Sequence, residues 1–208
     1  MNDLGNRWLR AWTYARALDV RDVEGWPLVH VGSATRETEL VCVEPGVEAF
    51  DALMPQVAGD PRAMLTVIAK DIGPYTALDL PPGVRVDRDD ETLMIGSLSA
   101  APPPEIDRRF TTRWENIGRQ LKYVVEHGDR VAAEGYVGVL GADAVYDAVE
   151  TTPAYQRQGL GRHVMVALTN RAVERGASSG ILPATAAGRL LYESLGWEPA
   201  LAMWSLMG

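Results

Sequence analysis

The 208 residues are 47% apolar and 23% charged with a formal net charge of −8, an ordinary globular composition long enough for one large core or two small ones. The acidic balance argues against general nucleic-acid binding, which needs a basic footprint, and no run of about 18 apolar residues offers a membrane span. Cys42 stands alone, only His30, His127 and His163 accompany it, and MNDLGNRWLR lacks a signal-peptide pattern, so a cytoplasmic protein without disulfide or metal is expected.

In chain order, Trp8, Ala11, Trp12, Ala15 and Leu18 share one face of a helix predicted over 7–18, an aromatic stripe that reads as core packing. Strands follow at 27–31 and 39–43, joined by a polar stretch, and they hold His30 and Cys42 inside apolar runs. A helix over 47–57 should end early or kink at Pro55. The β-branched, apolar run 64–69 is a strand, and 92–95 another. Between them Asp87-Arg88-Asp89-Asp90 lacks the spacing of a calcium loop and reads as a solvated turn. Three consecutive prolines, Pro102 to Pro104, mark the best boundary, dividing an N-terminal α/β region, 1–103, from 104–208.

Beyond it, Ile117, Leu121, Val124 and Val125 have the spacing of a helix over 116–126. Gly128-Asp129 turns the chain into a strand over 130–140, and Gly141-Ala142-Asp143 turns it again into a strand over 144–151. Simple alternation there places Val145, Asp147, Val149 and Thr151 on one face and Tyr146, Ala148 and Glu150 on the other. Pro153 ends the strand, and Leu160, Val164, Met165, Leu168 and Ala172 then give the buried stripe of a helix that stops at Gly176. Strand, glycine-bearing turn and helix together aim unpaired backbone N–H groups at one point, which makes an anion site.

Which anion depends on spacing. A dinucleotide fingerprint needs a third glycine where Val164 stands, and a Walker A loop needs a lysine that is absent. The run Gln156-x-x-Gly159-x-Gly161, preceded by Pro153-x-Tyr155, resembles instead the pyrophosphate loop of the GNAT acetyltransferases. Ala187-x-x-Leu190-Leu191-Tyr192-Glu193-x-Leu195-Gly196-Trp197 is similar to that family's closing segment, and the resemblance covers roughly 105–208. It implies an α/β GNAT fold with a mixed central sheet flanked by helices. The N-terminal half is then either a degenerate copy of the same half-fold or the strands and acceptor-side helices of one larger domain.

The resemblance also implies an activity: direct transfer of acetyl from acetyl-CoA to a primary amine, with no metal. Carried over residue by residue, the pyrophosphate would lie on Gln156, Arg157, Gln158, Gly159, Leu160, Gly161 and Arg162, and the pantetheine arm along Val149 and Thr151. Tyr192 would protonate the leaving thiolate. Asp147, a carboxylate in an otherwise apolar strand face, would accept the amine's proton or bind the acceptor, with a purely structural role as its rival. Gln156-Arg157 replaces the commoner Arg-Gly pair, and an Asn often found before the last helix is absent near Ala184-Thr185. The expected partners are acetyl-CoA and a small-molecule or peptide amine, with a homodimer permitted and neither nucleic acid nor membrane. The rival from another class is a non-catalytic acyl-CoA-binding sensor, and intact Tyr192 and Asp147 favour the enzyme.

Overall fold

The computed structural model describes residues 3–208. Helix α1 (Leu4–Arg16) comes first, burying Leu4, Trp8, Leu9, Ala11, Trp12 and Ala15. Trp8 and Trp12, one turn apart, stack with ring centroids 5.2 Å apart. The chain then forms β1 (Asp19–Val23), β2 (Trp26–His30) and β3 (Thr38–Val43), the short α2 (Val47–Leu53), β4 (Ala63–Ala69), the single turn α3 (Gly73–Thr76) and β5 (Arg85–Ser97). After the proline linker come β6 (Thr111–Ile117), β7 (Gln120–His127), β8 (Arg130–Leu140), β9 (Asp143–Thr151), α4 (Leu160–Glu174), β10 (Ser179–Ala184), α5 (Ala186–Glu193) and β11 (Glu198–Met207). Helix α2 runs into a 3-10 turn over Met54–Gln56, the early end expected from Pro55. No described helix is long and apolar enough to cross a membrane.

All eleven strands join one mixed sheet in the order β1-β2-β3-β4-β11-β5-β10-β9-β8-β7-β6. Only β3 with β4 and β9 with β10 run parallel. The centre of the sheet is interleaved. β11, from the second half of the chain, lies between β4 and β5, while β5, from the first half, pairs with β10. Helix α1 lies across β8 and β9 on one face, held by Arg7 Nε donating to Asp143 Oδ2 at 3.1 Å, and α4 covers β7 to β9 on the other. One apolar cluster under α1 draws Val41 and Ile68 from the first half together with Val145, Ile181 and Met203 from the second.

Two sequence expectations are corrected. Residues 116–126 are the β6–β7 hairpin and not a helix. β7 is buried on both faces, so period-two alternation vanishes and its apolar residues imitate helical spacing. Asp87-Arg88-Asp89-Asp90 lies inside β5, where Ser205 faces Arg88 and Met203 faces Glu91 across the ladder. A tertiary partner overrides a locally turn-like composition there. The strand β1, exposed at the sheet edge, carries no apolar pattern that could have announced it.

The proline linker straps onto α4. Ala101 exchanges N–H and C=O bonds with the Asn170 side chain at 2.9 and 2.8 Å. The Pro104 carbonyl accepts from His163 Nδ1 at 2.7 Å. Since that carbonyl can only accept, His163 carries its proton on Nδ1 and its Nε2 accepts from the Tyr123 hydroxyl at 2.9 Å.

Candidate active site

The site begins where β9 parts from its parallel neighbour. β9 and β10 pair only from Ser179↔Asp143 to Ile181↔Val145, and beyond that they splay. On the other side of β9 the register with β8 steps from Tyr136↔Asp147 to Glu134↔Glu150, so Ala148 and Val149 together oppose Gly135. That is a β-bulge, and Ala148 adopts φ 44° within it. The bulge corrects the simple alternation. Asp147 faces α1, meeting Arg16 Nη1 at 3.4 Å, whereas Val149 packs into the core beneath α4. Glu150 therefore lies on the same face as Asp147, not opposite it.

After β9, a 3-10 turn at Pro153–Tyr155 leads to exposed Gln156, Arg157 and Gln158. The Gln156 side chain donates to the Thr151 carbonyl at 3.3 Å, and Gln158 accepts from Arg109. Arg157 takes φ 61° and Gly159 φ 79°, two left-handed steps that turn the chain into α4. A Cβ on Gly159 would meet nothing within 4 Å, so glycine serves its backbone angle and not its surroundings. A Cβ on Gly161 would come 3.0 Å from Leu191 Cδ2, so that glycine lets α4 approach α5. Leu160 plugs the core at 1% exposure.

The first turn of α4 has no side-chain cap and no acidic residue, while Arg157 and Arg162 flank it and Arg109 reaches in through Gln158. Unpaired N–H groups, the positive helix end and nearby guanidinium groups fit a phosphate or diphosphate. Thr151 stands beside this turn, its Oγ1 3.6 Å from where a Gly161 Cβ would be.

The splay opens into a cavity of about 640 Å³ lined by both Asp147 and Tyr192. Tyr192 is 7% exposed, has its ring centroid 6.3 Å from that of Trp197, and has no hydrogen-bond partner for its hydroxyl among the described residues. Burial pushes its phenol up to about 12. Asp147 also borders a second hollow of about 470 Å³ beneath the end of α1. Composition-based reading missed the charged wall opposite β9, where β5 contributes Asp87 to Glu91 and the loop before β3 contributes Arg36. A strand made of charges has no apolar period, so only its pairing reveals it. Among the described residues no three His, Cys, Asp or Glu side chains are placed to hold a metal.

Residues 118–199 match the model of the acetyltransferase (GNAT) domain family. No curated protein sequence matches the chain. Among solved structures, a GCN5-related N-acetyltransferase from Kribbella flavida superposes with a TM-score of 0.69 at 15% identity, covering 98% of this chain and 95% of the other. A protein assigned to the GNAT acetyltransferase family from Novosphingobium aromaticivorans gives 0.63 at 19% identity, covering 98% and 96%. A tandem GNAT protein from the clavulanic acid biosynthesis pathway gives 0.55 at 14% identity, covering 92% and 83%. At these identities the likeness is one of fold.

Proposed function

We infer from the match at residues 118–199 that this chain is a GNAT acetyltransferase, and from that premise we propose that it moves the acetyl group of acetyl-CoA to a primary amine by direct transfer. One observation carries the reading: the uncapped N-terminus of α4 opens beside the splay of β9 and β10, whose cavity holds the buried Tyr192 phenol. In this reading the N–H groups of residues 159–162 and the Arg157 and Arg162 side chains hold the diphosphate, and the parted edge of β9 at Val149 and Thr151 receives the pantetheine arm. The thioester supplies the activated acetyl carbonyl. Asp147 takes a proton from the incoming ammonium, directly or through water, and Tyr192 gives its proton to the departing sulfur. A phenol pushed up to about 12 suits that donor role, because it keeps its proton at any pH near neutrality.

We also read 1–103 and 104–208 as two copies of one half-fold, the first degenerate. β3-α2-β4-α3-β5 repeats the order β9-α4-β10-α5-β11, each with one parallel pair bridged by a helix. In the first copy β3 and β4 stay paired through six positions, from Thr38↔Ala63 to Val43↔Ile68, so no slot opens between them. The chemistry then belongs to the second copy alone.

The test is to incubate the protein with acetyl-CoA and a panel of amines while following free thiol. Amine-dependent thiol release supports the enzyme. Acetyl-CoA binding with no release across a broad panel would replace it with the sensor reading.

A further inference from the structure

We propose that the acceptor is a free amino acid, with its carboxylate held in the hollow beneath the C-terminal end of α1 and its amine at Asp147. The inference rests on the transferase reading above and adds the class of acceptor to it.

Gln120, Tyr136 and Asp147 share the sheet face that looks toward α1. Gln120 lies opposite Gly138 across the β7–β8 ladder, and Tyr136, two residues before Gly138, lies opposite Asp147 across the β8–β9 ladder. Gly138 fixes the face: an added Cβ there would collide with Ala15 of α1 and lie 3.6 Å from Gln120 Cγ. Helix α1 is thus pressed onto β8 at this glycine, and it ends just beyond, where Ala17 takes φ 52°. Past that end opens the hollow of about 470 Å³, whose lining includes Arg16, Arg119, Gln120, Tyr136, Asp147 and Ala148. Asp147 and Ala148 also line the cavity at the splay, so the bulged stretch of β9 borders both spaces.

A hollow beside a helix end is often mere surface relief, but the lining of this one includes a buried donor with nothing to bond. Gln120 is 7% exposed, and its Nε2 is the buried side-chain nitrogen left without a hydrogen-bond partner among the described residues. The other buried polar side chains, Thr13, Glu39, Thr66, His163 and Ser205, all have partners. An amide nitrogen only donates, so it calls for an oxygen acceptor. Charge points the same way. Arg119 donates to the Tyr14 carbonyl at 3.2 Å and lies 4.4 Å over the Tyr14 ring, and no carboxylate pairs with it among the described residues. With Arg16 and Arg119 against Asp147, the lining carries a surplus of one positive charge. A carboxylate gives both the amide and Arg119 the acceptor they lack. Asp147 meets Arg16 through Oδ2 at 3.4 Å, which leaves Oδ1 for an ammonium group. At about 4.8 Å per strand and 3.4 Å per residue, two strands and two residues put the Gln120 and Asp147 Cα atoms roughly 12 Å apart, and their side chains close part of that gap. One small molecule bearing both an amine and a carboxylate spans it. Its nitrogen bonds to the acetyl carbon as the C–S bond breaks, Asp147 or water takes the amine's proton, Tyr192 protonates the sulfur, and the carboxylate stays unchanged in the hollow.

Calorimetry on the CoA-loaded protein tests this without requiring turnover, using L-alanine, γ-aminobutyrate and ε-aminocaproate, each against the amine it becomes on losing its carboxylate: ethylamine, propylamine and pentylamine. At least one amino acid should bind about tenfold or more tightly than its counterpart, with the gap narrowing as salt is added. Gln120→Leu should bring that pair within about threefold and melt no lower than the wild type, since it removes an unpaired buried amide. Arg119→Gln, at an exposed position, should cut the preference at least about threefold and flatten its salt dependence, and it decides alone if Gln120→Leu does not fold. A wild type that prefers no amino acid to its counterpart, or a folded variant of either kind that keeps the full preference, overturns the proposal. Triglycine bound more tightly than every free amino acid would overturn it in favor of a peptide. Thiol release with amines of every kind alike would leave the transferase reading standing and remove this acceptor class. Selective amino-acid binding without thiol release would sink the transferase reading and leave the carboxylate site.

Discussion

A phenol that holds its proton to about pH 12 can donate but cannot act as a base at the pH where an amine acceptor becomes neutral. Burial disfavors the phenolate, so the donor is present below this value and lost only as pH rises through it. The wild-type rate should therefore show no alkaline fall from Tyr192 up to pH about 10. Tyr192→Phe retains the ring against Trp197 and removes only the proton; kcat should fall about 10²-fold with acetyl-CoA affinity unchanged. Full turnover by that variant, with chemistry shown to limit the rate, would reduce Tyr192 to packing. Asp147→Asn should lose rate at neutral pH and regain part of it in alkali, where more of the amine is already neutral, and a pH–rate profile of the variant checks this. Tyr192 and the loop glycines were legible from their spacing. The face of Glu150 was not, because a bulge at Ala148 inserts one residue into the alternation and nothing in Ala148 itself announces it.

At the scale of elements, α4 and its preceding loop were readable because glycine, apolar period and stop signal agree. Gly159→Glu should lower CoA affinity by at least about 10²-fold, since it combines a left-handed angle unfavorable to side chains with a negative charge at the positive helix end. Gly159→Ala separates the two causes: its Cβ meets open space and brings no charge, so the affinity it loses reports the left-handed angle alone and should be smaller than the loss in Gly159→Glu. Calorimetry with CoA reads both, and a folded Gly159→Glu protein with unaltered affinity would remove the diphosphate from this loop. The elements that escaped sequence reading share one property: their partners decide them. β7 is a strand because β6 and β8 flank it, and the charged start of β5 is a strand because β11 lies beside it.

For the whole molecule, the interleaving of β5 and β11 makes each half incomplete. Residues 104–208 alone would leave β10 and β11 without β5 between them, and 1–103 alone would expose β4 where β11 belongs. Each fragment expressed alone should therefore lack a cooperative melting transition. The two co-expressed should associate and recover one, and circular dichroism on the purified pieces decides it. A stably folded 104–208 fragment would contradict this. The proline run was visible as a boundary in the sequence, but the crossing of strands over it was not, because pairings such as Val67↔Trp204 join residues with no local signal in common.

That same crossing has a consequence for how the chain is made. Six of the seven residues of β4 are apolar, and all seven are buried in the finished sheet. During synthesis it leaves the ribosome well before β11, its partner on one edge, because Ala69 must wait for Ala202. Through that interval a sticky, unpaired strand edge is open to any neighboring chain, and the long-range closure that ends the risk is slow. Aggregation during expression should thus depend on how quickly the second half follows the first. Slowing translation between β4 and β11 should lower soluble yield more than the same delay placed before β4.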